Sequence, residues 1–258
     1  MTTSAFGRAL REWRRARGLT QLELALEARA SQRHLSFLET GRSRPGADIV
    51  LRLANALDVP LRERNALLAL AGLPPAYRDA RDDASSAPFR AALRSILERH
   101  EPFPALVLDG WWDVVDQNEG AARLFTALGA RPDNMVEGLL DTASLRDKIE
   151  NWPAVAAAVL HRLRREQRAS PFDDRLAALV ARAEEAVEVE GVRLRDEPED
   201  ALVVSPTFLV GGAAIRTFSV ISYFNAPRDV RLSELRVELL FPRDAEAETR
   251  LAALVDSA

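Results

Sequence analysis

The side chains with the clearest chemistry lie between Thr20 and Gly41, in the stretch TQLELALEARASQRHLSFLETG. At about 100° per residue, a helix over 31–40 turns Leu35 and Leu38 to one side. It turns Arg33, Ser36, Phe37 and Thr40 to the other, with Gln32 at the flank. Such an outer face suits the edges of base pairs. Arg33 can donate two hydrogen bonds to O6 and N7 of a guanine, and Gln32 can pair with adenine in the same two-point manner. Phe37 is unusual on an outward helical face. It can press on a thymine methyl, or it can pack against another helix or a partner chain. Arg42 and Arg44 flank the end of the helix, as phosphate clamps or as solvated loop charge. His34 points sideways and reads as a packing or phosphate-side residue.

These side chains need a rigid mount, and the neighbouring residues supply one. Thr20 and Glu23 have capping-box spacing at the start of a helix that buries Leu24, Ala25 and Ala28. Ser31 is a plausible N-cap for the next helix, and Gly41 suits a left-handed C-terminal position. Phe6, Ala9, Leu10 and Trp13 stripe a preceding helix that stops near Gly18. Val50, Leu53, Ala54 and Leu57 stripe a fourth, and Leu67, Leu68 and Leu70 to Ala71 carry a fifth, closed by Gly72 and Pro74-Pro75.

Thr20-Gln21, Leu24-Ala25, Ser31, Leu35, Leu38-Glu39, Gly41 and Arg44-Pro45 resemble the helix-turn-helix of the XRE family, the phage-repressor type, over roughly residues 5–72. The resemblance implies that the helix from Ser31 to Thr40 enters the major groove, with Gln32, Arg33 and Phe37 where base contacts are made. It places Gln21 at the sugar-phosphate backbone. The expected DNA-facing set is Gln21, Ser31, Gln32, Arg33, Ser36, Phe37, Arg42 and Arg44. Modules of this kind usually read two half-sites as dimers, so a homodimer on a double-stranded operator is expected.

Composition supports that division of the chain. The 258 residues carry a formal charge of −4 and are 47% hydrophobic, enough for packed cores in two modest domains. Residues 1–80 hold 13 Arg against 8 Asp and Glu, whereas the remainder holds 22 basic against 31 acidic residues. A positive front on a negative body is what a DNA-binding head with a separate function behind it shows. With no Cys, disulfides and thiolate metal sites are excluded. No apolar run approaches the roughly 20 residues of a membrane span. The N-terminus lacks an apolar signal core, so a cytoplasmic location is expected. No HExxH, GxSxG, P-loop or GxGxxG pattern occurs, so no catalytic residue, metal or cofactor is expected and the chain is not read as an enzyme. Runs such as Glu184-Glu185 and Glu188/Glu190 are solvated faces.

Beyond a polar linker the pattern changes. Residues 89–99 suit a connecting helix. Residues 104–109 and 112–117 read as strands around Gly110, and Asn118 caps a helix through Leu128. Two helical stripes follow, from Trp152 to Leu163 and from Leu176 to Val187. Residues 202–210 and 213–224 read as strands joined by Gly211-Gly212, a favoured two-residue turn. Leu235, Val237, Leu239 and Phe241 alternate with Arg236 and Glu238, which predicts a strand with the apolar set inward and Arg236 and Glu238 outward. A short helix after Asp244 ends the chain. The sum is an antiparallel sheet with a helical layer.

LDGWWDVVDQNEGAARLF, NWPAVAAAVLHRLRRE and SYFNAPRDVRLSELRVELLFPRDAE, in this order, are similar to the C-terminal domain of MmyB-like transcription regulators over about residues 90–255. The resemblance implies a PAS-like fold that binds small, fatty-acid-like molecules. Asn225 stands where the family often has Gly, and either tolerates a turn. Trp112, Trp152, Phe208, Phe218 and Tyr223 are candidate pocket-lining residues. Arg216, inside an otherwise apolar strand, is a candidate partner for a carboxylate head group.

The expected organisation is a five-helix DNA-binding head over 1–73, a linker over 74–88, and a PAS-like ligand-binding and dimerisation domain over 89–258. The function expected is sequence-specific transcription regulation controlled by a small apolar ligand. The competing reading is a constitutive DNA-binding regulator whose second domain serves only dimerisation or protein interaction. An internal cavity of several hundred Å3 marks the first and a solid core the second.

Overall fold

The computed structural model describes residues 4–79, 86–141, 144–189, 191, 205–224 and 228–256. Two compact units divide the chain near residue 80, with short segments 168–171 and 226–233 grouped with the first.

The N-terminal unit contains five helices: α1 (Ala5–Ala16), α2 (Gln21–Glu27), α3 (Gln32–Thr40), α4 (Ala47–Ala56) and α5 (Leu61–Leu70). Their first turns are capped where the sequence places short polar residues. Ser4 accepts from the Gly7 N–H, Thr20 and Glu23 close a reciprocal capping box, and Ser31 accepts from the His34 N–H. Arg29 takes a left-handed conformation (φ 49°) in the tight turn between α2 and α3. Two carbonyls of that turn, on Ala28 and Arg29, accept hydrogen bonds from Arg52. Gly41 ends α3 at φ 75°. Phe6, Leu10, Trp13, Leu24, Leu35, Leu38, Leu53 and Leu68 form one apolar core. Gly7 lets α1 lie directly on the end of α3: a Cβ there would fall 2.6 Å from the Leu38 carbonyl oxygen.

The C-terminal unit is α+β. Its helices are α6 (Ala87–Arg99), α7 (Glu119–Ala127), α8 (Met135–Leu140), α9 (Trp152–Ala169), α10 (Asp174–Val189) and α12 (Ala245–Asp256), and the short α11 (Val230–Glu234) falls almost wholly in the segment grouped with the first unit. Its strands are β1 (Ala105–Leu108), β2 (Val114–Gln117), β3 (Thr207–Val210), β4 (Ala213–Tyr223) and β5 (Arg236–Pro242). They form one antiparallel sheet in the order β2-β1-β5-β4-β3. Gly211 and Gly212, at φ 56° and 81°, make the β3–β4 turn, where both positions need the left-handed region. The expected strand over 202–210 begins, as described, at Thr207; residues 202–204 and Asn225 lie outside the described residues.

Both faces of the sheet are covered at its strands β1 and β5. Leu93 and Leu97 of α6 pack on Ala105, Val107 and Val237. On the other face, α7, α9, α10 and α12 enclose a larger core that includes Leu106, Leu124, Trp152, Leu163, Leu240 and Leu251. Hence the expected polarity of β5 is corrected. Val237 does pack inward, against α6, but Arg236 is only 3% exposed and Leu240 4%, on the opposite face. A strand with two covered faces cannot sort its residues by simple alternation. The helices α8 and α11, six and five residues long, were not anticipated, because such short segments hold no readable period.

Candidate nucleic-acid interface and ligand cavity

In the N-terminal unit, α3 buries Leu35, Leu38 and Glu39. Gln32, Arg33, Arg42 and Arg44 are exposed, and Ser36 and Phe37 are half-buried. The Arg33 guanidinium lies 5.3 Å from the Phe37 ring centroid, so one residue supports the other on the outer face. Among the described residues no carboxylate pairs with Arg33, Arg42 or Arg44. Ser31 caps α3 through its acceptor oxygen, which leaves its O–H free to donate. Gln21 has a role the sequence did not show: its amide donates to Glu39 Oε2 at 2.8 Å.

Glu39 is the residue that fixes the angle of this face. Its carboxylate is fully buried and accepts from Arg14 Nε (2.6 Å), Arg14 Nη2 (3.1 Å) and Gln21, with Arg11 Nε at 3.4 Å. Burial pushes its pKa up, but the hydrogen bonds from Arg14 and Gln21 and the charges of Arg14 and Arg11 outweigh burial and hold it below the ordinary carboxylate value. One side chain therefore ties α1, α2 and α3 together.

The C-terminal unit holds a cavity of about 180 Å3 between the sheet and its helical layer. Four positions of α9 at helical spacing, Val155, Ala158, Val159 and Arg162, form one wall. Met135 and Leu139 of α8, Phe125, Leu106, Phe208, Ile221 and Leu240 add apolar surface. The volume is below the range usual for drug-sized ligands. It exceeds the roughly 150 Å3 in which an apolar cavity can hold a benzene-sized molecule.

A polar cluster adjoins the cavity through its lining residues Trp112 and Arg162. Arg236 Nη1 donates to Glu166 Oε1 at 2.7 Å, Arg162 Nε donates to the same oxygen at 3.0 Å, and Trp112 Nε1 donates to Glu166 Oε2 at 3.0 Å. The two guanidinium carbons lie 4.8 Å (Arg162) and 4.4 Å (Arg236) from the centroid of the same Trp112 ring. Arg236 also donates twice to the Asp109 main-chain carbonyl. Trp112 itself sits at φ 69°, a region few non-glycine residues adopt. Around it the Asp109 carboxylate accepts from the Trp111 and Asp113 N–H groups, while burial, the larger effect, raises its pKa. Ser219 Oγ donates to Glu238 Oε1 at 2.7 Å, and both residues line the cavity.

Of the six residues expected to line a pocket, the cavity brings together Trp112 and Phe208. Tyr223 stands beside it, its hydroxyl bonded to Arg162 and its ring 5.7 Å from that guanidinium. Trp152 is not on the wall; it is core, with Nε1 donating to the Leu139 carbonyl at 2.6 Å. Arg216 and Phe218 share a strand parity opposite to Ser219 and Ile221 and so lie on the far face of β4. Arg216 pairs there with Asp244 at 3.5 Å, and Phe218 stacks on Phe241. Arg162, Ser219 and Glu238, by contrast, were not anticipated. The register of β4 against β5 was the missing information, since it sets Glu238 opposite Ile221.

A helix-turn-helix bundle is followed by an α+β domain that holds a mostly apolar, partly open cavity. Known families divide the chain in the same way. A helix-turn-helix family matches residues 10–64, and the MmyB-like transcription regulator ligand binding domain matches residues 89–254. The second match covers more than half of the sequence, and the chain belongs to that family. It is a DNA-binding transcription regulator with a ligand-binding domain, and neither matched family is enzymatic. No curated protein matches it. Among the described residues no helix is long and apolar enough to cross a membrane.

Proposed function

We propose that this protein is a ligand-controlled, sequence-specific regulator that acts as a homodimer in the cytoplasm, with a head over 1–73, a linker over 74–88 and a sensor over 89–258. Arg33 and Gln32 read base edges, Phe37 contacts a thymine methyl, and Ser36 lies beside them in the groove. Gln21, Ser31, Arg42 and Arg44 meet the phosphate backbone. The free donors of Arg33, Arg42 and Arg44 support this reading.

The sensor holds a small apolar molecule of acyl type, with its chain among Met135, Leu139, Val155 and Leu240. The observation that carries this is the cavity itself: mostly apolar walls with a few polar side chains, Arg162, Ser219 and Glu238, among them. Mass spectrometry of an organic extract from purified protein tests it. A recurrent, stoichiometric small amphiphile is expected. Failure both to recover such a molecule and to bind added short acyl compounds would favour a sensor domain that serves only as an interaction module.

A further inference from the structure

The charged groups at the cavity say what kind of head the ligand carries. Arg162 and Arg236 contribute two positive charges. Glu166 and Glu238 contribute two negative ones; Arg162 and Glu238 line the cavity, Arg236 and Glu166 adjoin it through Arg162, and the cluster is balanced before any ligand enters. Glu166 is occupied by both arginines and the Trp112 N–H. Glu238 is different. It lines the cavity with Arg162 and Ser219 among mostly apolar residues, the Ser219 hydroxyl donates to it, and among the described residues no cation pairs with it. Its carboxylate has lone pairs to spare.

An ionised carboxylate brought beside Glu238 would add an uncompensated negative charge in a mostly apolar site, a costly arrangement. An alkylammonium would meet Arg162 in the same way. A neutral head with both a donor and an acceptor avoids both conflicts. Its N–H or O–H can donate to Glu238 while its oxygen accepts from Arg162, whose Nε is taken by Glu166 and one terminal nitrogen by Tyr223.

Resting on the reading that the cavity holds an acyl-type molecule, we infer that the ligand is a neutral, hydrogen-bond-donating acyl compound, an amide or hydroxylated chain, selected over a free fatty acid by Glu238 and Arg162. Chain length is kept constant in the test: hexanamide, hexanoate and hexylammonium are titrated into the full-length protein by calorimetry at neutral pH. Hexanamide is expected to bind at least about tenfold more tightly than either ion, a difference of about 1.4 kcal/mol. Glu238→Gln retains an acceptor for Ser219, removes the charge and offers an N–H, so hexanoate is expected to gain at least about fivefold while hexanamide does not gain. The wild-type ranking stands as a test even without that variant. Hexanoate binding as tightly as hexanamide, or unchanged by Glu238→Gln, overturns the head-group assignment but leaves an acyl ligand in place. Failure of all three probes to bind overturns that assignment and the acyl-ligand reading together.

Discussion

Arg33 and Arg44 are both exposed cations of one small bundle, yet they should fail differently when removed. Arg33 lies on the outer face of α3, braced by Phe37, where a planar fork can address one guanine. Arg33→Ala should cost about 1–3 kcal/mol and relax preference at a single base position. Arg44 lies past the end of α3, where a phosphate contact carries no sequence information. Arg44→Ala should weaken every sequence alike and lower the salt slope by about one. Fluorescence anisotropy across operator variants at several salt concentrations separates the two, and unchanged affinity and preference for Arg33→Ala would show that α3 is not oriented as proposed. In the sensor, Arg236 bonds Glu166 and the Asp109 carbonyl while almost wholly buried. Arg236→Met should destabilise the domain by about 3 kcal/mol, at the low end for a broken buried pair because Arg162 still serves Glu166. A denaturant midpoint shift reads this directly.

At the scale of elements, the longer helices were legible from their 3.6-residue stripes, and Thr20, Ser31, Gly41 and Asn118 occupy the capping positions their types predict. Less of the sensor cavity was legible. Trp112 and Phe208 are bulky enough to be chosen from sequence, whereas Glu238 looks like the solvent side of an alternating strand until α6 is seen to cover the other face. Arg216 misled for the mirror-image reason: a charge in an apolar strand marks one parity, and the sequence does not say which parity faces the cavity. Buried charge is similarly hidden in the head, where Glu39 joins α1, α2 and α3. Its folded pKa lies below its unfolded value, so the stability it contributes is present above the unfolded carboxylate range, near pH 4.3, and is lost as pH falls through the lower folded value. Thermal unfolding of the wild type should therefore weaken on acidification below about pH 4.3 more steeply than that of Glu39→Gln. Parallel profiles would mean that Glu39 does not stay ionised in the fold.

For the whole molecule, the positive head and negative sensor let one chain approach a polyanion without the sensor itself adhering to it. A head of five short helices reaches few bases, so tight binding calls for two copies on half-sites spaced by about 34–36 Å. Sedimentation with and without a palindromic operator should show two chains per duplex, and a one-to-one complex on a symmetric site would count against the dimer. Control by a ligand adds a quantitative demand. A molecule in the cavity changes DNA affinity only if it binds the DNA-competent and incompetent states with different free energies, and that coupling is reciprocal. If saturating hexanamide shifts the operator Kd by a factor between about 5 and 150, the usual span for such coupling, operator must shift the hexanamide Kd by the same factor. Both numbers come from one pair of titrations. Equal factors would join the cavity to the DNA face, whereas a ligand that binds while leaving the operator Kd fixed would make the cavity an occupied but silent part of a constitutive regulator.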